Sequence, residues 1–354
     1  EQPGAEDGES EGRALPLFSG EGLEAVLHSE PHATPDAEGR QDAATGSDRR
    51  LRMTIPTMTV PDLGVYNRLL PEKWGLRLLG GEGEVAGGLE INERSATLEL
   101  DLSSDEAEVR FEDDHITTDL GLALRAKVLA DAGVTLDLAG TELRLDQARI
   151  TAGNDRENRP WQAALRISDG LLQVPIPPVQ DGADPVDQLT EILRSQDFGT
   201  LLTDADGRLA ATLTVSRLGW IPRLLDNPLG LTLGGAGKIE ASLRLVDGWL
   251  GEGTTLEVQP QGLELGLLDH TVDGQGHATL TLESGGRRPD LRLHAELHDA
   301  RLRRLDEERP EIEGMRLEVE ATAADVTPEG VGETEVKLRI PSARIADVGV
   351  FNAY

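Results

Sequence analysis

The chain has 354 residues, enough for two ordinary domains or one elongated array, and its 65 acidic residues against 34 basic ones leave a formal net charge of −31. That balance argues against a nucleic-acid partner, which demands clustered Lys and Arg, and against docking on an anionic bilayer surface. Apolar residues make up 38% but aromatics only 3%, and cysteine is absent. Any core must therefore be built from Leu, Val, Ile and Ala, and disulfides, thiolate nucleophiles and cysteine-ligated zinc drop out together.

Residues 1–50 read as a disordered acidic arm or linker, rich in Glu, Asp, Gly, Ser and Pro and too poor in apolar residues to offset ordering entropy. Within it, Leu15 to His28 is a sticky patch that suits a short helix or strand. From about Arg50 the pattern changes to period two. Leu98, Leu100 and Leu102 alternate with Glu99 and Asp101, and later runs such as Leu143 with Leu145, Leu165 with Ile167 and Leu209 with Ala211 repeat the pattern. Turn residues fall every 8 to 12 positions, among them Asp131-Ala132-Gly133, Asp206-Gly207, Asp247-Gly248 and Gly285-Gly286. This is the signature of antiparallel strands with one apolar and one polar face.

A single helix is expected after Asp184-Pro185, with Val186, Leu189, Ile192 and Leu193 on one face. The extended Val174-Pro175-Ile176-Pro177-Pro178 before it reads as a break between two β segments. The chain divides accordingly into a first β section (51–180), a helix-containing connection and strand (181–215), a second β section (216–345) and the start of a truncated third repeat (346–354).

That division rests on an internal repeat. Pro61-Asp62-Leu63-Gly64-Val65-Tyr66-Asn67-Arg68-Leu69-Leu70 aligns with Ser216-Arg217-Leu218-Gly219-Trp220-Ile221-Pro222-Arg223-Leu224-Leu225, 155 residues later. Gly-rich segments follow both, at Gly80-Gly81-Glu82-Gly83 and Gly234-Gly235-Ala236-Gly237. A third copy begins at Ala346-Asp347-Val348-Gly349-Val350-Phe351-Asn352, so the chain reads as an excerpt of something larger. The aromatic after each glycine (Tyr66, Trp220, Phe351) is placed to plug a corner of the sheet, as packing rather than as a ligand.

Long Leu-alternating strands with acidic outer faces, no cysteine, and phrases such as LGVYNRLLP and LRLLGGEGEVAGGLEI resemble the AsmA-like proteins of Gram-negative envelopes over roughly residues 55–354. The resemblance implies an all-β fold: an elongated, twisted antiparallel sheet curled into a groove, a β-taco or open barrel, with one or a few short helices. It implies a bridge-like section in the periplasm that carries phospholipid or another acyl lipid between inner and outer membranes, in a parent anchored in the inner membrane, with envelope proteins as further partners. The lining would be Leu98, Leu100, Leu102, Leu120, Leu122, Leu124, Val128, Val134, Leu136, Leu138, Leu213, Val215, Ile239, Leu243, Leu245, Leu280, Leu282, Leu291, Leu293, Leu297, Leu317, Val319, Val336 and Leu338. About 18 strands at roughly 4.8 Å each would make a trough on the order of 90 Å long.

Chemical alternatives are weak. His294, Glu296 and His298 share one strand face, but residues two apart along a strand stand nearly 7 Å from each other (about 3.4 Å per residue), so a solvated face is expected. Asp204-Ala205-Asp206-Gly207 is similar to the start of a calcium loop but lacks its later carboxylate, and a hairpin turn fits better. The Gly-rich segments precede strands and carry no Lys-Ser/Thr, so they are not phosphate loops. No catalytic constellation, metal site or cofactor site is expected, and the chain reads as a non-enzyme. The competing function is a structural or adhesive β-repeat of the cell surface, with a closed core and no ligand.

Overall fold

A computed structural model of the chain describes residues 19–32, 46–69, 76–92, 95–111, 114–130, 134–150, 160–174, 205–219, 232–267, 270–305, 309–325 and 332–345. They form one antiparallel sheet of 17 strands. The first section holds β1 (Glu24–His32), β2 (Gly46–Val60), β3 (Leu76–Gly80), β4 (Gly83–Ile91), β5 (Ser95–Phe111), β6 (Asp114–Ala130), β7 (Val134–Asp137), β8 (Glu142–Ile150) and β9 (Trp161–Val174). The second holds β10 (Asp206–Val215), β11 (Thr232–Val246), β12 (Trp249–Leu250), β13 (Thr255–Leu267), β14 (His270–Ser284), β15 (Asp290–Arg304), β16 (Ile312–Ala323) and β17 (Thr334–Ile345). Among the described residues the one element that is not a strand is a 3-10 turn over Leu63–Leu69. The helix expected after Asp184 lies outside the described residues, as do Trp220 and Phe351.

The strands follow one another as a meander. In three places two short strands share one position in the sheet: β3 and β4 both pair with β5, β7 and β8 both lie between β6 and β9, and β12 and β13 both pair with β11. The 17 strands therefore occupy 14 positions, and the sheet is about 65 Å across at roughly 4.8 Å per strand. The trough expected from the sequence, on the order of 90 Å, is longer than this. Among the described residues β1 and β17 do not pair with each other, so the curled sheet is a partial ring.

Two expectations are corrected here. The acidic arm carries β1, and β2 begins at Gly46. Leu23, Ala25 and Leu27 keep the period-two pattern, and the register sets Ala25 against Met53 and Leu27 against Leu51, which gives this short acidic stretch a place at the sheet edge. The break expected after Val174 does not divide the sheet. β10 pairs with β9 from Asp206↔Gln173 to Val215↔Ala163, so hydrogen bonding runs unbroken from one section to the next.

The same register places Asp206 and Gly207 inside β10 rather than in a hairpin. The hairpin is at Asp247-Gly248, between Val246 and Trp249, where φ values of 49° and 73° suit a two-residue turn that follows the strand twist. Asp206 supports it by accepting a 2.8 Å hydrogen bond from the Asp247 amide.

The register also brings each strand's apolar residues into one continuous face. Leu89, Leu98, Ala126 and Leu136 stand in neighbouring rows of the first section, and Leu209, Leu243, Leu256, Leu280, Leu293 and Ala321 do so in the second. The opposite face carries cross-strand ion pairs such as Arg125–Asp101 and Arg208–Asp169, both at 2.8 Å. Exposed pairs of this kind contribute little stability. Their position opposite the Leu rows does penalise a one-residue slip, which would turn charge into the apolar face.

Candidate functional site: a creased apolar groove

A line of bulges crosses the sheet from β5 to β17. The register shifts between Ser104 and Ala107 in β5, between Leu145 and Ala148 in β8, and between Gly234 and Ala236 in β11, opposite the break in β13. It shifts again between Leu297 and Ala300 in β15 and between Glu313 and Arg316 in β16. Shifts in β6, β13 and β14 join these across the ladder, whereas β9 and β10 have none at this height and meet the line at their ends, Trp161 and Val215. A bulge bends its strand and increases local twist. A row of bulges at one height creases the whole sheet.

At the crease the apolar face is buried. Ala107, Ala148 and Ala300 each follow a bulge immediately, and each is 0% exposed. Around them lie three buried clusters: one of Met58, Val60, Leu63, Val85, Leu102, Val109 and Leu120, one of Trp161, Ala163, Val215 and Leu218, and one of Leu297 and Met315. Small side chains at the fold line allow the two halves of each strand to approach, and the alanines have no room to grow.

The internal repeat is visible at the crease. Leu63, just after β2, and Leu218, just after β10, are both buried over it. Their amides make equivalent hydrogen bonds, Leu63 N to Gly81 O at 2.9 Å and Leu218 N to Gly235 O at 2.8 Å. Both glycines are required. Gly81 has φ +114° and Gly235 φ +97°, and a Cβ on Gly81 would lie 2.8 Å from the Glu106 carbonyl, while one on Gly235 would collide with the Gly262 carbonyl.

The sequence pointed to the aromatic after the glycine as the plug, but the leucine before it does this work. Tyr66 is partly buried against the first cluster, and burial raises its phenol above the ordinary value. Asn67 closes the free side of β3: its Nδ2 donates to Leu78 O at 2.6 Å and its Oδ1 accepts from Leu78 N at 2.7 Å.

Away from the crease the apolar face is not sealed. The expected lining residues all share this face. Leu102, Leu120, Val215 and Leu297 are buried at or near the crease, Leu282 is buried at the far end of β14 beside the turn that bonds it through Gly253 and Thr254, and Val336 and Leu338 on β17 are exposed at 63% each. Leu98, Leu100, Leu122, Leu124, Val128, Val134, Leu136, Leu138, Leu213, Ile239, Leu243, Leu245, Leu280, Leu291, Leu293, Leu317 and Val319 are half-buried. Leu138 belongs to the turn after β7, where its Cβ stands against Gly170 of the apolar face. The result is a half-open aliphatic lane with a packed floor.

The histidine strand departs from expectation in one respect. His294 Nε2 and His298 Nε2 lie 3.3 Å and 3.4 Å from the two carboxylate oxygens of Glu296, with Arg316 Nη2 at 3.4 Å. The side chains lean inward along the strand and converge on the carboxylate between them. The His294 hydrogen bond, aided by Arg316 and His277, holds Glu296 below the ordinary carboxylate range against the opposing effect of partial desolvation. Among the described residues no group of three His, Asp or Glu side chains is disposed to hold a metal ion, and no helix is long and apolar enough to cross a membrane.

Comparison with protein-family models, curated proteins and solved structures gives no match. The crease itself escaped the sequence reading, although it leaves a trace. Ala148-Arg149-Ile150, Ala300-Arg301-Leu302 and Ala343-Arg344-Ile345, with Ala107-Glu108-Val109 as a variant, mark β8, β15, β17 and β5 just beyond their bulges.

Proposed function

We propose that the chain is a section of a lipid-transfer conduit, its creased groove shielding the acyl chains of phospholipid in transit through the periplasm between the membranes of a Gram-negative envelope. One observation carries the reading: a single aliphatic lane, unbroken by charge along most of its length, crosses every strand and stays half-exposed beside a packed floor. An acyl chain laid in the lane would complete the burial that the sheet leaves unfinished, at about 0.8 kcal/mol per methylene.

Neighbouring rows offer similar Leu, Val and Ala surfaces, so the free energy would change little as a chain slides from one row to the next. Headgroups would face solvent at the mouth. The half-exposure of Leu98, Leu122 and Leu243 favours this reading over a structural or adhesive β-array, which needs a closed core. The resemblance to AsmA-like proteins points the same way.

The test is photocrosslinking in cells. A photoreactive residue at Leu122 or Leu243 is expected to capture lipid, whereas the same residue at Arg244, exposed on the opposite face of the same strand as Leu243, is not. Equal labelling at Leu243 and Arg244, with no lipid found by mass spectrometry of organic extracts of the purified protein, overturns the proposal.

A further inference from the structure

The two edges of the open sheet match one another. Among the described residues β1 pairs only with β2 and β17 only with β16, so each leaves one row of backbone donors and acceptors without a strand. Such edges add strands readily unless they are blocked. Neither is interrupted by proline over its working length: proline comes only at Pro31 in β1 and at Pro341 in β17, leaving 24–30 and 334–340 free of it.

The faces agree as well. Leu23 (53% exposed) and Leu27 (66%) lie on the apolar side of β1, and Val336 and Leu338 (63% each) on the apolar side of β17. The polar sides are opposite in sign. In a strongly acidic chain, β17 carries Lys337, Arg339 and Arg344 against one Glu335, with Lys337 now on Glu335 at 3.3 Å and Arg339 near Glu318 at 3.8 Å, whereas β1 presents Glu24.

Strand direction supplies an independent argument. Because the meander fills 14 positions, an even number, β1 and β17 run in opposite directions. A second copy set beside the first, without inversion, would present its β1 antiparallel to β17, continuing the alternation found at every other ladder. The crease points to the same vacancy. Ala107, Ala148 and Ala300 are sealed at 0% exposure, but Ala343, which occupies the same place in β17, is exposed. β17 has the build of an interior strand.

We propose that copies of this chain associate head to tail, β1 of one molecule adding to β17 of the next and extending a single sheet. The register that sets Leu27 against Val336 also sets Leu23 against Ile340 and Glu24 against Arg339, with Lys337 beside the pair. The contact is heterologous, so it propagates into a filament or closes as a ring.

Sedimentation velocity of the full chain over a range of concentrations and salt tests this. Oligomers that grow with concentration and shrink with salt are expected. Lys337→Glu with Arg339→Glu in one protein, and Glu24→Lys in another, are each expected to weaken self-association about tenfold or more. Mixing the two variants is expected to restore assembly, because each reversed edge meets its complement. Loss of assembly through misfolding would not be rescued by mixing. A wild-type protein that stays monomeric throughout, or oligomers indifferent to both reversals, overturns the proposal, as does failure of the mixture to reassociate.

Discussion

Truncating Leu63 separates the floor of the groove from its open lane. Leu63 is 0% exposed, and its backbone is tied by the 2.9 Å bond to Gly81, so the site cannot collapse freely around a smaller side chain. Leu63→Ala therefore loses the full transfer term and leaves a cavity, about 3 kcal/mol in all. Leu122→Ala removes the same atoms from a half-exposed position that already faces a groove. It creates no sealed void and forfeits only the shielded part of the transfer term, roughly 1 kcal/mol.

Urea unfolding followed by far-UV circular dichroism measures both, as shifts in midpoint at constant slope. An elongated sheet can open locally, so amide exchange in β2, β4 and β5 should report the same ranking. The repeat adds a control, because Leu218→Ala should match Leu63→Ala. If Leu63→Ala costs no more than Leu122→Ala, the crease is not a packed floor and the division of the apolar face into floor and lane fails.

Ala148→Leu forces three extra carbons into a sealed crease and should destabilise by about 1–3 kcal/mol, whereas the same change at exposed Ala343 should be near neutral; thermal melts of the two variants decide. Gly235→Ala should destabilise more than Gly286→Ala in a urea titration, since both have positive φ but only Gly235 has a carbonyl in the way. Asn67→Ala should cost about 1–2 kcal/mol and speed amide exchange at Leu78, which loses both its hydrogen bonds to that side chain. Glu296 has its folded pKa below the unfolded value of 4.5, so its contribution is present above that pH and is lost as pH falls through the lower folded value. Thermal stability measured from pH 6 to pH 3 should therefore fall less steeply in Glu296→Gln; an unchanged slope would show that the imidazoles do not hold this carboxylate.

The all-β architecture was legible because the side-chain alternation in runs such as Leu98–Leu102 and Leu291–Leu297 is a direct image of strand geometry. The shared apolar face was legible for the same reason. The crease was not. A bulge breaks the alternation by one residue, and between Ser104 and Ala107 or between Leu297 and Ala300 that break looks like the end of a strand. Leu63 was overlooked because burial at a corner leaves no periodic trace, while the neighbouring Tyr66 drew attention by its size. β1 was only half legible: Leu15 to His28 suited a short helix or strand, but the acidic composition around it signalled disorder, and the ladder to β2 supplies what its few apolar residues lack. At Glu296 a spacing argument from Cα positions ignored the reach of the two imidazoles.

The line of bulges makes the profile of the trough a local property of each hairpin. Every bend is made within a strand and its immediate neighbours, so adding a pair of strands would lengthen the curled sheet while leaving its cross-section unchanged, like an extruded section cut to size. Length and curvature can then vary independently: the number of hairpins sets the one, and the alanines at the fold line set how tightly the sheet can fold.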